Sequence, residues 1–390
     1  MRRVYLPLHN FWLRRRIRRT LRFCLATLVI LLSVAVTAGL MGILALVLGG
    51  ISPSQSAAPS VTDARNKFEM HITNYLSDAL EGIQSIEKVY WLSDKDPVAP
   101  EPDPACYGET DDPEVLKQLM TDAAELLEGQ TLYFDPEGAR KPGTSVRYYL
   151  DGTIFAVCWK EIHDSCVYTF SEVKIAHPSQ FRRFLSGNAY GTAQQFLTTE
   201  MSQSVNAVVA SSGDFYGYRS IGTVVYGGTV YRCDNRLDLC LVDEKGDLQF
   251  LYAGQIPDAQ TLQQYIADNG IRFSLSFGPV LVEDGEQKNL GPYPVGEYDQ
   301  AYSRAALCQM GERHYLLAAA NMEYYYPMVP TLAQFSRRIA ETGCTMAYTL
   351  DGGQTAAIAM DHRLVNQVSY GSQRRISDIF YFATALPDGG

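Results

Sequence analysis

The chain is expected to fold as an α+β protein, a sheet-rich mixed α/β globular domain behind an N-terminal transmembrane helix and a helical stalk. Three observations lead there. Short apolar runs separated by Gly, Asp and Asn turns fill the chain from about Ser145 onward. Helix-like stretches interrupt them without the regular period of a doubly wound parallel sheet. Residues 23–48 form an uncharged run of Leu, Val, Ala and Ile, longer than the roughly 20 residues a bilayer-crossing helix needs. With 46% apolar residues and 25 tyrosines in 390, the chain has material for a substantial core.

Residues 1–22 read as a basic cytoplasmic tail, with eight arginines and no acid. Arg14, Arg15, Arg16, Arg18, Arg19 and Arg22 lie just before the apolar run, so the positive-inside rule puts the N-terminus in the cytoplasm. The cell membrane is then the expected location, with a single-pass anchor and the C-terminal domain extracellular. A cleaved signal peptide is the alternative, with small residues at Ser56-Ala57-Ala58. The rest of the chain carries 25 basic against 43 acidic residues, which disfavours nucleic acid as a partner.

Residues 49–144 read as linker and helical stalk. In the 61–92 segment, apolar residues recur at helical spacing from Phe68 through Ile72, Leu76, Ala79, Ile83 and Ile86 to Tyr90. That face fits a homodimerising stalk, a membrane-surface helix or a helix packed on the body. Ser93 to Asp112 is proline-rich and acidic and reads as a loop. Pro113 to Gly129 reads as a helix, with Asp112 capping it and Pro113 at its first position.

Residues 145–390 read as one domain. Strands are expected at Val146–Leu150, Ile154–Trp159 and Cys166–Ile175, then helices at Pro178–Leu185 and Gly191–Gln203. Hairpins follow around Gly227-Gly228 and around Lys245-Gly246-Asp247, and a helix over Thr261–Asn269 stops at Gly270. Phe273–Val282 reads as a strand entered through Gly-Pro, and Tyr315–Ala320 as another. A helix over Thr331–Thr342 leads to a strand at Ala347–Leu350. Cys158 with Cys166, and Cys233 with Cys240, are spaced to face each other across hairpins, where disulfides are permitted outside the cytoplasm. Cys308 and Cys344 read as free buried thiols.

Common catalytic signatures are missing. There is no Gly-x-Ser-x-Gly elbow, no phosphate-binding glycine loop, no His-Glu-x-x-His and no Cys-x-x-Cys. The six histidines are scattered, so no metal and no cofactor is expected. What remains is a set of acids and arginines at strand ends. Asp214 follows a buried-type strand through Ser211-Ser212-Gly213, and Asp351 follows another into Gly352-Gly353-Gln354. Arg304 sits in an apolar run, Arg219 in an aromatic-rich turn, and Arg374-Arg375 before the last strand. Two carboxylates with arginines suit a sugar phosphodiester: carboxylates act at the anomeric carbon while guanidinium groups match phosphate oxygens. Structural ion pairs and a simple Asp-Gly hairpin turn are the bland alternatives.

Four stretches together resemble the phosphodiester glycosidase family. They are Ala210-Ser211-Ser212-Gly213-Asp214-Phe215, Phe277-Gly278-Pro279-Val280-Leu281-Val282, Arg304-Ala305-Ala306 and Leu350-Asp351-Gly352-Gly353, in the family's order and spacing. The resemblance runs from about Tyr168 to Ala385. It implies a sheet-rich α/β domain whose site gathers the Asp-Gly-Gly turn, the Gly-Asp-Phe turn and the arginine strand. Asp351, Asp214 and Arg304 become the catalytic candidates. Gly352, Gly353, Gln354, Gly213, Arg219 and Arg375 become the substrate-binding candidates. The partner it implies is a carbohydrate phosphodiester in an envelope or exported polysaccharide, as in bacterial exopolysaccharide biosynthesis proteins. The chain departs from the family pattern at Ser212, Ala305, Cys308, Gln354 and Ala320-Asn321-Met322. Those departures leave a second expectation: a glycan-binding or assembly protein of the same fold without turnover.

Overall fold

The computed structural model describes residues 92–93, 96–294 and 298–386. The expected basic tail, the apolar run at 23–48 and all of the 61–92 stalk except Leu92 lie outside the described residues. Among the described residues, no helix is long and apolar enough to cross a membrane.

The first half of the chain supplies β1 (Tyr107–Thr110), β2 (Val146–Leu150), β3 (Ile154–His163), β4 (Cys166–Ile175), β5 (Phe181–Leu185) and β6 (Val209–Ser212). The hairpin strands β7 (Val224–Tyr226), β8 (Thr229–Arg232), β9 (Leu239–Asp243) and β10 (Leu248–Leu251) follow. Next come β11 (Ile271–Leu275), β12 (Val280–Glu283), β13 (Glu286–Gln287), β14 (Arg304–Gly311) and β15 (His314–Asn321). The last strands are β16 (Met346–Leu350), β17 (Ile358–Met360), β18 (Arg363–Leu364) and β19 (Asp378–Phe382). Five helices are described: α1 (Pro113–Asp122), α2 (Ala124–Leu127), α3 (Thr198–Ser204), α4 (Ala259–Asp268) and α5 (Leu332–Ala340).

The strands form three sheets. The largest has nine strands in the order β1-β2-β3-β4-β15-β14-β16-β12-β13, and the others have five each, β10-β9-β11-β7-β8 and β18-β17-β6-β19-β5. Their inner faces meet in one core that takes Tyr149, Ala156, Phe181, Val209, Phe273, Leu307, Tyr348, Ile358 and Phe380 from all three. Sheet faces bury apolar side chains on alternate positions, and a shared core removes three such faces from water at once. Helix α3 covers the outside of the β19–β6 sheet, and α4 covers the outside of the β9–β11 sheet.

Local chemistry explains where the helices start. Asp112 accepts from the Glu114 N–H at 2.9 Å, and Thr331 caps α5 with a reciprocal Gln334 bond. Several expectations are corrected. Pro178–Leu185 is not a helix: one 3-10 turn, Pro178–Gln180, leads straight into β5. Pairing of β5 with β19, from Phe181↔Phe382 to Leu185↔Asp378, decides the matter over local propensity. The Gly191–Gln203 helix shrinks to α3. Phe273–Val282 is two strands in different sheets, because the chain turns at Phe277-Gly278-Pro279.

The domain also starts earlier than residue 145. Strand β1 pairs with β2 through Tyr107↔Tyr149, so part of the expected 49–144 linker belongs to the large sheet. All seven cysteines among the described residues are free thiols. The two-residue turn at Asp164-Ser165 makes His163↔Cys166 the closing pair and puts Cys158 opposite Ser171, so Cys158 and Cys166 do not face each other. Cys240 pairs with Phe250 and Leu275, away from Cys233.

Asp151 ties the large sheet to the C-terminal strand region. It is 1% exposed and accepts from the Tyr149 hydroxyl, the Thr153 N–H and hydroxyl, the Ile154 N–H and the Thr384 hydroxyl. Removing the carboxylate leaves those donors buried without an acceptor. Asp151→Ala is expected to lower stability by about 3 kcal/mol in urea unfolding; a loss below about 1 kcal/mol would show that the donors find other partners.

Candidate active site

Two adjacent strand ends build the site. In the β14–β16 register Ala305 faces Leu350, so the next pair outward brings Arg304 beside Asp351. The Gly353 N–H then donates to Ser303 O at 3.0 Å, docking the Asp-Gly-Gly turn on the start of β14. This approach needs glycine: a Cβ on Gly352 would lie 2.2 Å from Ser303 O. A second turn arrives from the side. Strand β6 pairs with β17, just beyond the Asp-Gly-Gly turn, and ends in Gly213-Asp214-Phe215. Phe215 takes a left-handed conformation, φ +67°, unusual for a bulky residue and common where a site fixes the backbone.

Between these turns lies a cavity of about 250 Å3. Asp351, Arg219, Arg304, Arg374, Tyr302 and Tyr370 are among its walls, as are Phe215, Phe277, Gly352 and Gln354. Asp351 is the one carboxylate there among the described residues. Its Oδ1 accepts from the Gly352 N–H at 3.0 Å and its Oδ2 from the Thr355 hydroxyl at 2.7 Å. Burial raises its pKa from 3.8 to about 6, against the opposing pull of the Thr355 bond and of Arg219 and Arg374. The group thus changes charge near neutral pH, where a proton-transfer residue is most useful.

The arginines are held in distinct ways. Arg304 is 3% exposed, donates to Gln300 O at 2.8 Å and lies 5.8 Å from the Tyr302 ring centre. Arg219 donates to Asp214 O and lies 4.6 Å from the Phe277 ring centre. Its Nε and Nη1 are buried without a hydrogen-bond partner among the described residues. Arg374 sits 4.8 Å from both the Phe215 and Tyr218 ring centres. Guanidinium groups held beside aromatic faces at the wall of a cavity are suited to an anion with several oxygens. No group of three or more His, Cys, Asp and Glu side chains is placed to hold a metal among the described residues.

The structure brings together Asp351, Arg304, Arg219, Gly352 and Gln354, with Gly353 supporting the turn. It does not bring Asp214 to the cavity. Asp214 is fully buried beneath it, where Oδ2 lies 3.0 Å from Arg183 Nη2 and accepts from the Ser276 N–H at 2.8 Å. Asp378 Oδ2 completes the cluster at 2.8 Å from Arg183 Nη2. Burial, with the Asp214 carboxylate adding to it, pushes the Asp378 carboxyl up to about 7. Gly213 is packed on that cluster, away from the cavity lining.

Arg375 is also elsewhere. It is exposed and pairs with Glu200 at 3.2 Å, while its neighbour Arg374 reaches the cavity. Thr355, Tyr302 and Tyr370 were not among the sequence candidates. Only the folding of their loops beside Asp351 marks them.

Residues 205–383 match the sequence profile of the phosphodiester glycosidase family. The SPbeta prophage-derived uncharacterized protein YomE of Bacillus subtilis (strain 168) is 22% identical over 198 residues, 48% of this chain and 30% of that protein. The chain therefore spans about a third of the length of that curated relative. Among solved structures, the catalytic domain of zebrafish N-acetylglucosamine-1-phosphodiester alpha-N-acetylglucosaminidase, auto-inhibited by its pro-peptide, aligns with TM-score 0.46 at 15% identity. That alignment covers 66% of this chain and 92% of the zebrafish chain. A hypothetical protein from Synechocystis aligns with TM-score 0.42 at 12% identity, covering 59% and 62%.

Two outcomes are expected from this geometry. A Cβ on Gly213 would lie 1.9 Å from Asp378 Oδ2, so Gly213→Ala must open the Arg183 cluster. A stability loss of roughly 2–4 kcal/mol is expected in urea unfolding, and an unchanged midpoint would mean the cluster gives way freely. Asp351 behaves in the opposite sense. Because its folded pKa lies above 3.8, its contribution to stability is complete below about pH 4 and is lost as pH rises through about 6. Asp351→Asn should therefore be more stable than the parent at pH 7.5, by roughly 1–3 kcal/mol, with the gap closing at pH 4. A variant less stable at both pH values would show that the carboxylate is not held at a cost.

Proposed function

With residues 205–383 forming a phosphodiester glycosidase domain, we propose that the chain hydrolyses a sugar-1-phosphodiester and that Asp351 is the catalytic base. The observation that carries this reading is an ionisable carboxylate facing a cavity walled by three arginines. Arg219, Arg304 and Arg374 hold the phosphate oxygens. Ionised Asp351 takes a proton from water as its oxygen attacks the anomeric carbon. The bond from that carbon to the phosphate oxygen breaks, and its electron pair leaves with the phosphate. The products are a free reducing sugar and a phosphate monoester, whose added charge falls among the guanidinium groups. A phosphate leaves with little help from an acid, which suits a cavity with one carboxylate rather than the pair used for alcohol leaving groups. Asp214 acts as a positioning residue: its carbonyl holds Arg219, and its carboxylate holds the turn.

The setting is part of the proposal. The 23–48 run and the arginines before it support a membrane anchor, with the body on the extracytoplasmic side beside envelope or exported polysaccharide. A second reading, glycan binding without turnover, draws on the presence of only one carboxylate in the cavity among the described residues.

The test is release of reducing sugar from a panel of sugar-1-phosphodiesters. Turnover should rise between pH 5 and 7 with a midpoint near 6, as Asp351 ionises. Asp351→Asn should cut it by about 10²–10⁴-fold. In 18O-labelled water the label should enter the sugar hydroxyl; label in the phosphate would place the cleavage at phosphorus. Binding of the panel without release, unaffected by Asp351→Asn, would favour the second reading.

A further inference from the structure

Tyr370 is a wall of two cavities. One is the arginine cavity; the other, of about 690 Å3, is also lined by Met322, Tyr324, Gln367 and Val368. Leu364 likewise belongs both to this second cavity and to a third, of about 230 Å3, lined by Thr144, Arg147 and Lys160. Residues 364–371 thus run past three hollows in succession, beginning at Asp351. The first hollow alone is smaller than the roughly 300 Å3 at which ordinary ligand sites begin, so it holds little more than the reacting sugar phosphate.

The second hollow carries an unusual surface. Tyr324 is 87% exposed and Tyr370 83%, and Met322 beside them is 46% exposed. Clustered exposed aromatics on one wall mark a binding surface more often than chance placement does. The turn that carries Tyr324 is also held in place. Tyr324 and Tyr325 form the tip of a tight turn in which Glu323 and Tyr326 exchange both backbone hydrogen bonds at 3.0 Å. The Glu323 carboxylate, 5% exposed as a residue, is fixed by Lys160 at 2.7 Å and Lys141 at 3.2 Å. The backbone under Tyr324 therefore has little entropy left to lose when a ligand lies on its ring.

We propose that this run of hollows is a track for a glycan chain, so that the substrate is an oligomeric or polymeric phosphodiester rather than a single sugar phosphate. The proposal rests on the reading of the arginine cavity as the phosphodiester site. The sugar next to the cleaved bond packs its C–H face on Tyr370, and the following unit packs on Tyr324, with hydroxyls turned to water and to Gln367. Aromatic faces with a polar surround match the mixed surface of a pyranose, apolar across the ring and polar at the rim. A protein partner is disfavoured by the continuity with the cavity, because the same Tyr370 that would anchor it also closes the reaction site.

The test uses the full chain and oligomers of one and six units from three series, built of glucosyl, mannosyl or N-acetylglucosaminyl phosphodiesters. Affinities are measured in the Asp351→Asn background, which keeps the oligomers intact. In at least one series the six-unit oligomer should bind ten-fold or more tightly than the single unit. Tyr324→Ala should remove most of that gain without changing single-unit affinity, and Tyr324→Phe should keep it. Affinity independent of length in every series, absence of binding included, overturns the track, as does a gain that Tyr324→Ala leaves intact. Release from single units by the parent chain without a length gain would leave the hydrolase reading standing and the track refuted. A length gain without any release would do the reverse.

Discussion

Arg183 carries a full positive charge in the interior, and the surrounding architecture is arranged to meet it. Its guanidinium comes from β5, one of its carboxylates from β19, the other from the turn after β6, and it also donates to Ser274 O on β11. One buried cation therefore joins four segments from two sheets. An ion in low dielectric is tolerable only when its partners are complete, so the geometry of all four segments is coupled. The turn bearing Phe215 and Arg219 inherits that fixity, because Asp214 is a member of the cluster.

The arginine-walled cavity adjoins this cluster through Asp214, whose carbonyl accepts from Arg219, and it uses charge differently. In the cluster, two acids share one arginine in a fully enclosed space, and Asp378 is pushed up to about 7. In the cavity, one acid faces three arginines. That imbalance of positive charge is tolerable because the cavity is open. The two strand-end acids thus differ in setting: Asp214 holds the scaffold and Asp351 lines a cavity. Their sequences look alike, since each follows a buried strand and each adjoins glycine.

Aromatic side chains do much of the positioning. Phe215, Phe277, Tyr218 and Tyr302 lie against the guanidinium groups of Arg219, Arg374 and Arg304. Such contacts restrict long flexible side chains at the cavity wall, which suits recognition of an anion. Tyr370 and Tyr324, farther along, are largely exposed.

The sequence by itself determined a good part of this protein. Short apolar runs between Gly, Asp and Asn turns located most strands and both hairpins, and the Asp112-Pro113 cap located a helix start. Those signals are local, since side-chain alternation and turn geometry act within a few residues. Asp351 and Arg304 were legible for the same reason, as charges at the ends of apolar strands. Only the tertiary structure decided that Phe181–Leu185 is a strand, because its partner lies near the other end of the chain. Only it separated Asp351 from Asp214 and Arg374 from Arg375, because burial and pairing depend on which segments meet. A carboxylate's role follows from the cation and the solvent it finds after folding, and neither is encoded in its neighbours along the chain.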